Sequence, residues 1–111
     1  MAKGFSGMPA NMLGLLKQAQ KMQEDLAKAQ EEAAKLTAEG SSGGGMVKAT
    51  ANGSSELVSL AIEAEVVNPE EIEMLQDLVQ AACNEALRKA NEQVKEKLGK
   101  LTSGLNIPGL V

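Results

Sequence analysis

An α+β fold of order α-β-β-β-α is predicted by three observations. Apolar residues recur at alternating spacings of three and four from Met12 to Leu36, strict alternation flanks Asn52-Gly53, and a long helical stretch opens at Asn68-Pro69 with no later proline before Pro108. Two long helices therefore flank a small antiparallel sheet. A chain of 111 residues has room for one domain. Its parts read as a flexible leader over residues 1–10, one folded unit over 11–101 and a loose apolar tail over 102–111.

The leader carries Gly4, Gly7 and Pro9, after which Asn11 is a candidate cap. In the first helix Met12, Ala19, Leu26 and Ala33 form one heptad seam and Leu15, Met22, Ala29 and Leu36 the other. Glu24 with Lys28 and Glu31 with Lys35 are oriented i to i+4 pairs on the outer face. The glycine-rich run Gly40 to Gly45 is expected to break regular structure, with residues 37–42 offering a short third edge strand. Alternation resumes in Met46 to Ala51, and Asn52-Gly53 signals a two-residue type I′ hairpin turn. Glu56 to Ala64 alternates again, with Val58, Leu60, Ile62 and Ala64 on one face.

Asn68-Pro69-Glu70-Glu71 combines a capping side chain, proline at the first helical position and carboxylates at the positive dipole end. The helix it opens should reach about Leu101, where Gly99 marks the approaching end. Its first part, from Ile72 to Leu87, is apolar on most sides, so one monomer's sheet cannot cover it. A single Phe and the absence of Tyr and Trp thin the core further. An oligomer is the expected remedy.

Composition narrows the function classes. Histidine is absent, which removes the commonest general base, metal ligand and nucleophile partner. Cys83 is the only cysteine, which fits a reducing compartment, and its apolar neighbours Leu78, Val79, Ala82 and Ala86 favour a packing role over a reactive one. No apolar run reaches the roughly 18 residues of a membrane span, and no signal-peptide pattern is present, so a cytoplasmic protein is expected. The run Gly40 to Lys48 does not match a phosphate-binding loop, because Lys48 falls inside a strand. Glu70, Glu71 and Glu73 are explained by the helix dipole without a metal. Neither cofactor nor catalysis is expected. With no aromatic pair to stack bases, duplex is favoured over single-stranded nucleic acid.

The net charge of −4 and pI of about 4.9 argue against a polyanion as partner when taken alone. Their distribution argues otherwise. Residues 1–23 hold Lys3, Lys17 and Lys21 and no acid. Residues 24–87 are net acidic, with Lys28, Lys35 and Lys48 against thirteen acids, while residues 88–111 hold Arg88, Lys89, Lys95, Lys97 and Lys100 against Glu92 and Glu96. If the helices pack antiparallel, the two basic segments meet at the end farthest from the sheet. The expectation is a basic arm tip on an acidic body, able to grip phosphates without reading bases.

Several segments carry a resemblance. Leu16-Lys17-Gln18-Ala19-Gln20-Lys21-Met22-Gln23, the stretch Gly44 to Gly53, Glu73 to Val79 and Ala81 to Ala86 are similar to the YbaB/EbfC nucleoid-associated proteins, in order over nearly the whole chain. The resemblance implies an α-β-β-β-α monomer, a tweezer-like homodimer and binding of double-stranded DNA with little sequence preference. It implies a nucleoid location, a role in nucleoid organisation and gene regulation, and no enzymatic activity. Recombination proteins such as RecR are a further partner it suggests. Matching positions in the arms point to Lys17, Gln18 and Lys21, and to the Arg88–Lys100 segment with Lys89, Lys95 and Lys97, as DNA contacts. Many members have proline soon after the last strand where this chain has Ala64, which would let the strand run further. The alternative is a coiled-coil chaperone or adaptor resembling prefoldin subunits, which would need apolar arm tips.

Overall fold

The computed structural model describes residues 10–105; of the leader expected over 1–10 and the tail expected over 102–111, residues 1–9 and 106–111 lie outside them, while Ala10 and residues 102–105 belong to helices. Five regular elements follow in the order α1 (Ala10–Ala34), β1 (Thr37–Ser42), β2 (Val47–Asn52), β3 (Leu57–Ile62) and α2 (Ile72–Leu105). The strands form one antiparallel sheet in the order β1-β2-β3, with Ser42 opposite Val47 and Val47 opposite Ile62. The expected fold class is the observed one.

The helix α1 already contains Asn11, which therefore lies inside the helix rather than capping it. Its last turn tightens through bonds from the Lys35 amide to the Glu32 carbonyl and from the Leu36 amide to the Ala33 carbonyl, at 3.2 and 3.1 Å. The chain then enters β1 directly. Gly40 lies inside that strand instead of breaking it. A Cβ there would collide with the Ala82 carbonyl oxygen and the Ala86 amide nitrogen of α2, so glycine is what lets the helix approach the sheet. The turn proper is Gly43, Gly44 and Gly45, all with positive φ, at 60°, 68° and 95°.

Between β2 and β3 the expected two-residue turn is replaced by a longer one. The Asn52 amide donates to the Glu56 carbonyl at 2.9 Å, enclosing Gly53, Ser54 and Ser55, and Ser55 takes the left-handed conformation at φ 61°. The Asn52 side-chain oxygen accepts from the Ser54 and Glu56 amides at 2.9 and 3.1 Å, which holds this wider loop without a positive-φ glycine in it. A register shift beside Thr50 and Ala51 accommodates it. The strand β3 ends at Ile62, short of Ala64, because Ala64–Val66 turns as a 3-10 helix closed by the Val67 amide on the Ala64 carbonyl.

Asn68 caps as its sequence context predicts. Its side-chain oxygen accepts from the Glu70 amide at 3.0 Å, and Pro69–Glu71 forms one 3-10 turn that leads into α2. The helix passes Gly99 and continues beyond Leu101 to Leu105. One glycine costs a helix about 1 kcal/mol, too little to stop one of this length.

The core is made of small side chains. Val47, Ala49 and Ala51 of β2 and Ala38 of β1 pack on Ala82, Ala86 and Ala90 of α2, with Leu78, Val79, Cys83 and Leu87 half-buried around them. The helix covers β1 and β2 and scarcely touches β3. All of β3 is consequently exposed, Leu57, Val58, Leu60 and Ile62 included.

Candidate nucleic-acid interface

The arm is built where α1 and α2 run antiparallel beyond the sheet. Its register is set close to the β2–β3 turn, where Gly53 lies against the Ala33 carbonyl oxygen of α1 and near a Val94 methyl of α2. One ion pair crosses between the helices farther out: Lys97 Nζ stands 3.4 Å from Glu32 Oε2. From that pair, Leu105 lies about 12 Å outward along α2, whereas Lys21 and Lys17 lie about 16 and 22 Å outward along α1 at roughly 1.5 Å per residue. The first turns of α1 thus project past the described end of α2.

The two basic segments are staggered by this register. The acidic part of α1, not its basic start, lies alongside the basic part of α2, and four of the candidate cations meet carboxylates, three within α2 at i to i+4 spacing and one across to α1. Arg88 Nη1 is 3.1 Å from Glu92 Oε1, Lys89 Nζ is 3.1 Å from Glu85 Oε1, Lys100 Nζ is 3.7 Å from Glu96 Oε1, and Lys97 bridges to Glu32. Within the described residues, Lys17, Lys21 and Lys95 form no ion pair. Gln18 is exposed beside Lys17.

Lys89 serves the fold more than the arm. It also donates to the Glu39 carbonyl of β1 at 3.4 Å, while Glu85 accepts from the Ser41 amide at 3.3 Å. Together these fasten β1 to α2 near Gly40. The Lys89 ammonium, by hydrogen bond, and then the Ser41 amide hold the Glu85 carboxyl below the usual glutamate range. Ser42 extends this seam, its hydroxyl donating to the Leu78 carbonyl at 2.5 Å.

By its i to i+4 spacing from Glu24, Lys28 is expected on the outer face of α1. It instead lines the groove between the helices, with Asp25, Glu32, Glu96, Lys97 and Lys100 around it. The seven-residue spacing from Lys21 to Lys28 was the available signal, because it keeps both on one side of α1. The arm's start also shows Met12, Leu13, Leu15 and Leu16, each about half exposed at 49 to 61%.

Other candidate chemistry finds no assembled site. Cys83 is half-buried against the alanine core. No group of three potential metal ligands converges among the described residues, and none of the described helices is long and apolar enough to cross a membrane.

Comparison with known proteins agrees with this architecture. The chain is 54% identical to a nucleoid-associated protein of Caldanaerobacter subterraneus subsp. tengcongensis, over 99% of each chain. It is 50% identical to a nucleoid-associated protein of Clostridium acetobutylicum, over 99% of this chain and 100% of the other. The crystal structure of an uncharacterized protein from Helicobacter pylori superposes with a TM-score of 0.55 at 25% identity, covering 79% of this chain and 95% of that one. The family model of the YbaB/EbfC DNA-binding family matches residues 8–105, and the chain belongs to that family.

Proposed function

We propose that the protein binds double-stranded DNA as a homodimer, with little sequence preference, and so contributes to nucleoid organisation and gene regulation. The observation that carries this reading is the projecting start of α1. It presents Lys17 and Lys21, exposed and without an ion pair among the described residues, beyond an acidic body. Cations free of carboxylate partners can release counterions from a duplex without first losing an internal contact. Their side chains are long and flexible, which suits phosphate more than base-edge recognition.

The homodimer is supported by the uncovered sheet. Val58, Leu60 and Ile62 are 58, 45 and 39% exposed, and β3 is an edge strand with free backbone groups. Exposed apolar side chains on an unprotected edge favour association, and a twofold mate would place two arms on one body. The two arms would then flank the duplex and engage phosphates on both of its sides.

A titration of duplex DNA at low and moderate salt tests the reading, comparing the wild type with the double variant Lys17→Glu plus Lys21→Glu. Binding that weakens steeply with salt, and is abolished in the double variant, is the expected result. Equal binding by both proteins would move the contact elsewhere. The apolar residues at the same tip do not favour a chaperone over this reading, because family membership points to DNA and the same turns carry the lysines.

A further inference from the structure

The candidate cations divide sharply around the arm. Lys28 from α1 and Lys97 and Lys100 from α2 line one groove. Lys21 lies one heptad before Lys28 and Lys17 one turn further, so both continue the same side of α1. On α2, a step of about 100° per residue puts Arg88 about 180° and Lys95 about 160° away from Lys97, on the reverse of the helix. The row from Lys17 to Lys28 is about 16 Å long. A duplex offers one charge per roughly 1.7 Å of axis over such a length, so a linear polyanion fits the row where a compact anion would engage one end of it.

Of the three acids that line the groove, Asp25, Glu32 and Glu96, the two in ion pairs are held differently. Glu96 pairs with Lys100 within one helix at 3.7 Å, both side chains being 70% or more exposed, and such a pair exchanges readily with solvent ions. Glu32 bridges the two helices to Lys97, whose side chain is only 36% exposed. A phosphate reaching Lys97 must therefore meet the Glu32 carboxylate.

Resting on the duplex-binding reading, we propose that this groove face is the phosphate track, with Lys28 as its central cation. Glu32 sets its affinity by occupying Lys97. Arg88 and Lys95 lie off the track. Each phosphate contact contributes a slope of about 0.9 to the dependence of log affinity on log salt. One contact accordingly accounts for about a threefold change in affinity over a fourfold change in salt.

The test is fluorescence anisotropy of a labelled duplex at several salt concentrations, using full-length protein whose helix content is checked by circular dichroism. Lys28→Gln should weaken binding and reduce the salt slope by about 0.9, whereas Arg88→Gln plus Lys95→Gln should leave the slope at its wild-type value. Glu32→Gln should tighten binding by more than Glu31→Gln, which makes the same charge change off the groove. A wild type that binds, together with an unaltered Lys28→Gln slope or equal effects of the two glutamate variants, overturns the groove assignment and leaves duplex binding standing. A wild type that binds no duplex at any salt overturns both.

Discussion

The carbonyl oxygen of Ala33, in the last turn of α1, lies where a Cβ on Gly53 would have to stand. This contact between helix end and hairpin loop fixes the direction in which α1 leaves the sheet, and with it the stagger of the arm.

Gly53→Ala and Gly40→Ala should each destabilise the protein. Replacing glycine by alanine usually stabilises by about 0.4–1 kcal/mol through the unfolded chain, where the native backbone permits it. Here the added methyl meets backbone at both positions, and overpacking costs about 1–3 kcal/mol, so the steric term wins. Urea unfolding should show lower midpoints for both variants, and Gly99→Ala, with open space around its Cβ, serves as the control.

Leu60→Lys should favour monomer. The residue is 45% exposed on the edge strand, so the substitution leaves the alanine core untouched while placing charge in the proposed twofold contact. Sedimentation equilibrium should then report half the wild-type mass with little loss of helix. A wild type that sediments as a monomer at all concentrations would remove the homodimer from the reading.

Acid should weaken the seam between β1 and α2. The Glu85 carboxyl is held low by Lys89 and the Ser41 amide, so its contribution is present above the ordinary glutamate range and is lost as pH falls through the depressed value. Glu85→Gln should accordingly show a shallower fall in unfolding midpoint between neutral pH and values below about 4.3 than the wild type does. Identical profiles for the two proteins would mean that Glu85 does not supply this dependence.

Asn68→Ala should cost about 1 kcal/mol, the usual loss for an N-cap whose side chain accepts a backbone amide bond. Thermal unfolding is a suitable readout, since the bond to the Glu70 amide is the only side-chain cap at this helix start.

Local signals carried most of the fold. The helical spacing of α1, the alternation in β2 and the Asn68-Pro69 start each act within a few residues, and each is found as read. Asn52-Gly53 misled because the asparagine side chain stabilises a three-residue loop as well as it suits a tight turn, and Gly53 is required by Ala33 rather than by its own φ. Gly40 misled in the same way, being demanded by a helix distant in the chain.

By itself the sequence determined the order of elements, the small-residue core and the segregation of basic from acidic stretches, since these follow from residue type and spacing. Only the tertiary structure decided which charges meet across the two helices. The stagger of α1 on α2 is set by a backbone contact at Gly53, and it brings Glu32 to Lys97 while leaving Lys17 and Lys21 free of ion pairs within the described residues. A helix's own periodicity defines its faces, but not the axial position of a second helix against it.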